Sequence, residues 1–391
     1  MVEKDAVIER QHYKGLAWVA SMALFMQSLD ATILNTALPT IATDLQTPVF
    51  EMQMAIIAYS LAVALFIPLT AWAAAKFGTL TVFRSAVFTF VFGSVACAMA
   101  TSLETLVLAR ILQGIGGAFM MPVARLAIIQ TVPKNQLINA WNLMATAGLI
   151  GPILGPILGG WISDNIHWGW IFFINVPIGL AVVLISWKIL EGRESRISHQ
   201  PVNTIGLILL ALGVGALQLM LDQGRELDWF NSTEIVVLTI IAAVGLITLI
   251  IWELTDDNPV VDVSLFKSRN FTVGCVSTSL AFLVYSGTVV LIPLLLQQVY
   301  NYTATWAGLA AAPVGLLPIL LAPIIGKFGN KIDMRILITV SFMVYALTFY
   351  WRAVTFEPEM TFMDVALPQF VQGLAVACFF MPLTTITLSG L

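Results

Sequence analysis

Of the 22 acidic residues in this 391-residue chain, one, Asp30, sits well inside an apolar stretch. A carboxylate there costs several kcal/mol unless it is protonated, paired or hydrated, so an acid at that depth reads first as functional. The basic residue able to meet it is Arg110, which lies within another apolar stretch. With a rise of 1.5 Å per residue, Asp30 lies about 21 Å along its stretch from one membrane face. Arg110 lies about 8 Å below the opposite face, so in a core of roughly 30 Å the two depths nearly coincide. A carboxylate whose protonation is tuned by a guanidinium is the chemistry of proton coupling. A static buried ion pair is the alternative.

A second pattern runs through residues 148–160, where Gly148, Gly151, Gly155, Gly159 and Gly160 alternate with Pro152 and Pro156. Glycines at i, i+4 and i+8 make a flat stripe for close helix contact, and prolines remove backbone donors and invite a kink. Such a helix packs tightly, and at a moving interface it would serve rocking of one half against the other. Asn35, Gln113, Tyr285 and Gln297 are candidate cavity-lining residues, while the aromatic group Tyr300, Tyr302 and Trp306 reads as an interfacial belt. The Gly114-Ile115-Gly116-Gly117 run has no preceding strand and no following Lys-Ser/Thr, so it is not a phosphate loop. His12, His167 and His199 have no nucleophile or metal-ligand spacing around them, and Cys97, Cys275 and Cys378 are scattered through apolar segments. The chain therefore reads as no enzyme, with neither metal nor cofactor.

The elements that must hold these residues follow from composition. Hydrophobic residues are 59% and charged residues 10%, with mean hydropathy +0.92. A soluble protein carries about a quarter charged residues, so this is an all-α integral membrane protein. A net charge of −4 with no basic stripe excludes nucleic acid as a partner. Twelve apolar runs of spanning length are predicted, at 16–39, 54–75, 82–101, 105–130, 140–163, 169–190, 204–222, 235–253, 271–298, 304–325, 336–351 and 363–390. With the N-terminus in the cytoplasm, fourteen of the eighteen basic residues fall in inside segments: Lys4, Arg10, Lys14, Lys76, Arg84, Lys134, Lys188, Arg193, Arg196, Lys267, Arg269, Lys327, Lys331 and Arg335. Only Arg225 and Arg352 fall outside, and Arg125, inside a span, is expected to snorkel to the inner interface.

An internal repeat organises the spans. Lys76-Phe77-Gly78 with Arg84 is matched by Lys327-Phe328-Gly329 with Arg335, and Gln113-Gly114 with Met121-Pro122 by Gln372-Gly373 with Met381-Pro382. These matches make spans 1–6 one half, spans 7 and 8 an inserted pair, and spans 9–12 an incomplete second half, a 6 + 2 + 4 arrangement. The expected organisation is a cytoplasmic head (1–15), a six-helix bundle (16–190), a linker with the inserted pair (191–253) and a four-helix second bundle (254–391). The end at Gly390-Leu391, without a polar tail, reads as a truncated product or fragment.

The run Leu29-Asp30-Ala31-Thr32-Ile33-Leu34-Asn35-Thr36-Ala37-Leu38-Pro39, the segment Arg110-Ile111-Leu112-Gln113-Gly114, Gly151 through Gly160, and Trp170 through Gly179 together resemble the major facilitator superfamily, specifically its fourteen-span drug:proton antiporters. From about Ile162 onward the chain is closer still to the EmrB-type multidrug exporters, through Leu221-Asp222, Asp228-Trp229, Trp252 to Asn270 and Tyr302 to Gly315. The first 160 residues look more like another branch, in particular through Met121 to Leu126. The resemblance implies a major facilitator fold and efflux of hydrophobic small molecules in exchange for protons. Asp30 and Arg110 would be the coupling residues, residues 148–160 the antiporter helix, and Lys76, Gly78 and Arg84 the cytoplasmic gate loop. It further implies a bacterial inner membrane, a periplasmic adaptor protein and an outer-membrane channel. Ala75 departs from the pattern, standing where much of the superfamily carries an acid. An uncoupled facilitator, an uptake carrier and a non-transporting remnant are the alternatives.

Overall fold

A computed structural model describes residues 2–132, 137–189, 203–256, 259–328, 333–357 and 360–387. Lys134, Arg193, Arg196, His199, Gly329, Lys331, Gly390 and Leu391, and the side chains of Lys4, Arg10, His12, Lys14, Lys327 and Met381, lie outside the described residues.

The described chain is helical throughout, and its rods follow the apolar runs. They are α1 (Val2–Asp44), α2 (Gln53–Phe66 running on through Ile67–Leu69 into Thr70–Phe77), α3 (Thr79–Ala98), α4 (Leu103–Thr131), α5 (Leu137–Asn165) and α6 (Trp170–Phe173 and Asn175–Ile189). Then come α7 (Thr204–Gln223), α8 (Thr233–Thr255), α9 (Arg269–Gln298), α10 (Ala304–Ala311 through Ala312–Gly315 into Leu316–Phe328), α11 (Met334–Thr355) and α12 (Phe362–Thr387). Among the described residues eleven are long and apolar enough to cross a membrane, and α5 is a 29-residue helix. Large apolar side chains face outward along them: α8 alone exposes Val237, Ile240, Ile241, Val244, Ile247 and Ile251. A soluble protein would not leave such a row in water.

Local signals set the boundaries. α4 begins at a capping box, in which Ser102 accepts from the Thr105 amide and Thr105 returns the bond to the Ser102 amide. Between α2 and α3 the chain turns at Gly78, whose φ of 89° lies where L side chains are strained. The predicted 15-residue head is continuous with α1, which is helical from Val2. Its Glu, Lys and Arg residues are good helix formers and extend the span outward.

α1–α6 pack together, with α1 against α5 and α6, and α4 against α2 and α3. α7 and α8 pack on each other, and α7 touches α2. α12 packs against α9, α10 and α11. The two groups meet where α5 lies along α10 and α1 along α9. Exposed Lys76 and Lys188 close α2 and α6, Lys267 precedes α9, and Arg269 and Arg335 open α9 and α11; the side of the bundle at these helix ends is called the basic face, and the side at the opposite helix ends the far face.

One placement differs from the sequence reading. Arg352, expected in a loop, is 6% exposed inside α11 and donates to Gln369 at 2.7 Å and Gln372 at 2.5 Å. Its long aliphatic stem carries the guanidinium inward to two amide oxygens, so the helix continues past the charge.

Candidate functional site: the buried Asp30–Arg110 centre

Five helices converge on one carboxylate. Asp30 on α1 and Arg110 on α4 are each 1% exposed, and Arg110 Nη1 donates to Asp30 Oδ2 at 2.7 Å. The same Nη1 donates to Gln113 Oε1 at 2.7 Å, one turn further along α4. Gln113 Nε2 donates to Asp30 Oδ1 at 2.7 Å and to Ser94 Oγ on α3 at 2.7 Å. From α6, Asn175 Nδ2 donates to Asp30 Oδ1 at 2.9 Å and to Ser94 Oγ at 3.3 Å. Arg110 Nε is held by the Ala55 carbonyl of α2 at 3.2 Å, and the Tyr59 ring centre lies 4.3 Å from the guanidinium carbon.

The carboxylate thus accepts three hydrogen bonds, from Arg110, Gln113 and Asn175. A proton placed on it makes one oxygen a donor and removes the charge that Arg110 pairs with, which weakens the bond from Arg110. The consequence reaches α4 and α6 directly, and α3 through Ser94. Among the described residues no group of three or more metal-ligating side chains exists.

Glycines make this convergence possible. A Cβ on Gly93 would fall 2.6 Å from the Gln113 backbone, and one on Gly114 would fall 2.7 Å from the Tyr59 carbonyl oxygen. Gly116 similarly admits the backbone of Phe90. The glycine run after Arg110 therefore brings α4 against α2 and α3.

The stripe on α5 faces α1. Added Cβ atoms on Gly148, Gly151, Gly155 and Gly159 would meet Leu24, Ser28, Thr32 and Ile33 in turn. Pro152 lacks the amide that would bond the Gly148 carbonyl, and Ser28 Oγ donates to that carbonyl instead, at 2.7 Å. From its middle to its far end α5 also lies along α10: Ile153 abuts Gly315, the Pro156 carbonyl abuts Gly308, and Gly160 abuts Ala304. The sequence spacing identified a packing face without identifying the partner, which is mostly a helix of the same bundle.

The remaining candidates scatter. Gln297 Nε2 bonds the Thr36 carbonyl at 3.0 Å, joining α9 to α1. Asn35 is buried on α1, and Tyr285 packs with Tyr345 and Val314. In the loop at the basic face, the Lys76 ammonium lies 4.9 Å from the Trp72 ring centre, and Arg84 donates to Ser186 of α6, by Nη2 to the carbonyl at 2.9 Å and by Nε to Oγ at 3.3 Å. Tyr300, Tyr302 and Trp306 line a shallow recess of about 360 Å³ at the far face. Glu253, 4% exposed at the end of α8, accepts from the Val261 amide at 2.9 Å and is a second buried acid.

Sequence reasoning missed Ser94, Asn175 and Tyr59. Each is neutral, so nothing in an apolar run marks it as costly to bury. The repeat offers one usable signal. Gln369, which occupies in α12 the place of Arg110, donates to the Ala311 carbonyl at 3.4 Å just as Arg110 donates to that of Ala55. The second group therefore carries the same polar scaffold with its cation moved to Arg352.

The Major Facilitator Superfamily model matches residues 20–391. The chain is 63% identical over 376 residues to the multidrug export protein EmrB of Haemophilus influenzae, spanning 96% of this chain and 74% of that protein. It is 50% identical over 378 residues to the fatty acid resistance protein FarB of Neisseria gonorrhoeae, spanning 96% and 74%. In fold it is similar to the xylose transporter XylE from E. coli in a partially occluded inward-open conformation, with a TM-score of 0.65 at 12% identity, covering 97% of this chain and 85% of that one. The chain is thus a multi-span membrane transporter protein that belongs to the major facilitator superfamily and, within it, to the EmrB-type multidrug exporters.

Proposed function

We propose that this protein expels hydrophobic compounds across the bacterial inner membrane in exchange for protons, with Asp30 as the proton-carrying group and Arg110 as the charge that answers its protonation. The observation that carries this reading is the buried pair at 2.7 Å, with Gln113 and Asn175 completing the carboxylate's partners. Protonating Asp30 discharges it and frees Arg110, which rearranges the contacts of four helices at once. A single proton then biases one arrangement of the bundle over the other. The names of the similar proteins, multidrug export and fatty acid resistance, favour amphipathic or apolar cargo.

In this reading the basic face is cytoplasmic and the far face periplasmic, because Lys and Arg are retained inside. α1–α6 form one rocking half and α9–α12 belong to the other, with α7 and α8 as an inserted pair. Lys76, Gly78 and Arg84 form the cytoplasmic gate loop, and residues 148–160 the antiporter helix. Asn35, Tyr285 and Gln297 line the transport path. An adaptor protein and an outer-membrane channel would carry the cargo onward.

The test is drug-induced proton release from proteoliposomes. Asp30→Asn keeps the size and removes the titration, so it should retain drug binding and lose proton exchange. Undiminished exchange in that variant would assign coupling elsewhere, whereas drug movement without proton release in the wild type would favour an uncoupled carrier.

A further inference from the structure

At the far face the last turn of α5 reaches across to the first turn of α10. Asp164 Oδ2 accepts from the Thr305 amide at 2.7 Å and from Thr305 Oγ1 at 2.5 Å, and its Oδ1 accepts from the Ala304 amide at 3.3 Å. The first amides of any helix lack intrahelical acceptors and carry the positive end of its dipole. α10 supplies one of its own, Thr303 Oγ1, which takes the Trp306 amide at 3.3 Å. The preceding two amides are held by a carboxylate on another helix, one packed in the first bundle.

We propose that Asp164 is a latch that holds the periplasmic side shut, by capping α10 from across the interface and releasing it when the two halves rock apart. Three observations converge on this. The bond joins the two groups that must separate, since α5 packs on α1 and α10 packs with α12. Backbone-to-backbone contact, Gly160 against Ala304 and Gly308 against Pro156, brings α5 and α10 close enough for a short side chain to span the gap. A second bond across the interface, Gln297 Nε2 to the Thr36 carbonyl, lies toward the same face, so the closure has two points.

The chemistry suits a reversible contact. A carboxylate on a helix N-terminus is charge-assisted and therefore directional. Asp164 is exposed and Thr305 only half-buried, so on opening water can replace each bond. A buried carboxylate in the same place would be left unpaired in the open state and could not let go. The latch rests only on movement of the halves, and stands whether or not Asp30 carries the coupled proton.

The test places spin labels at Ile166→Cys and Val299→Cys in a Cys275→Ser background, in nanodiscs without drug or gradient. Both label positions are exposed, at 55% and 61%. Asp164→Ala should convert short inter-label distances into long ones and lower the closed-to-open ratio roughly fivefold, the ordinary effect of losing a helix cap. Asp164→Asn, which keeps one acceptor oxygen, should lie between. Thr305→Val removes one of the three bonds without touching α5 and should shift the ratio less, in the same direction; it decides the matter if Asp164→Ala fails to reach the membrane. Distance distributions in Asp164→Ala and Thr305→Val that superimpose on wild type would overturn the latch. Absence of proton-coupled efflux in the wild type, with these shifts intact, would sink the proposed function and leave the latch standing.

Discussion

Asn175 donates to Asp30 at 2.9 Å from the first turn of the long segment of α6, ending a path that begins 145 residues earlier in the chain. It is fully buried, and the same amide nitrogen reaches Ser94. This one side chain fixes where α6 sits against both α1 and α3. Asn175→Leu should therefore lower drug efflux at least tenfold while the protein still reaches the membrane, because the loss removes a donor from the carboxylate and leaves Ser94 less well satisfied. Efflux in everted vesicles, normalised to membrane protein level, measures this. Wild-type rates would show that Arg110 and Gln113 suffice.

Tyr59 offers a contrast between shape and hydrogen bonding. Its ring centre is 4.3 Å from the guanidinium carbon of Arg110, a contact worth about 0.5–2 kcal/mol. Tyr59→Phe keeps the ring and should stay within about twofold of wild-type efflux, whereas Tyr59→Leu, which loses that 0.5–2 kcal/mol contact, should fall several-fold. Equal losses in both would transfer the role from the ring to the hydroxyl.

The buried ion pair was legible in the sequence, and its surroundings were not. Asp30 stood out because an acid in an apolar run has a large desolvation cost, and helix rise alone put Arg110 at its depth. Gln113 was visible as a polar residue in a span, but its bond to Asp30 depends on how α4 is rotated against α1. Arg352 was misplaced because a charge near the end of an apolar run reads as a boundary, although a long stem can bury it. Asp164 falls just past the predicted 140–163 span; its partner lies 141 residues away, and no local pattern links them.

Gly155 separates spacing from contact. A Cβ there would strike Thr32 of α1, whose hydroxyl already donates to the Gly151 carbonyl at 3.2 Å. Gly155→Ala should cost about 1–3 kcal/mol by overpacking and Gly155→Leu should abolish folded protein. Melting of the detergent-solubilised protein reads the first, and the amount in the membrane the second. Normal yield of Gly155→Leu would mean that α1 and α5 are not in contact.

Topology can be read independently of transport. A reporter fused after Lys267 should report the cytoplasm, and one after Asn231 the periplasm, since the two positions lie on either side of α8. An inverted result at both would reverse the orientation. The same side for both would remove α8 as a span.

The Asp30–Arg110 pair itself allows its structural and transport roles to be separated. Removing one partner of a buried ion pair strands the other and typically costs about 3–5 kcal/mol, while replacing both with neutral residues of similar size is often nearly neutral. Arg110→Gln alone leaves Asp30 buried with Gln113 and Asn175 but without its counter-ion, so a marked loss of melting temperature is expected. Asp30→Asn alone removes the counter-ion but leaves an amide oxygen for Arg110, so it should lower the melting temperature less and still fold well enough to bind drug. The double variant Asp30→Asn with Arg110→Gln places two amides where the ions were and should recover most of the lost stability. It contains no titratable group at the centre, so proton-coupled efflux should stay abolished despite the recovered fold. Arg110→Lys, which keeps the charge but loses the bond to Ala55 made by Nε, should retain more exchange than Arg110→Ala if charge outweighs geometry. Recovery of efflux together with stability in the double variant would identify the pair as a static brace, because a brace needs only its shape, whereas a proton carrier needs a group that titrates.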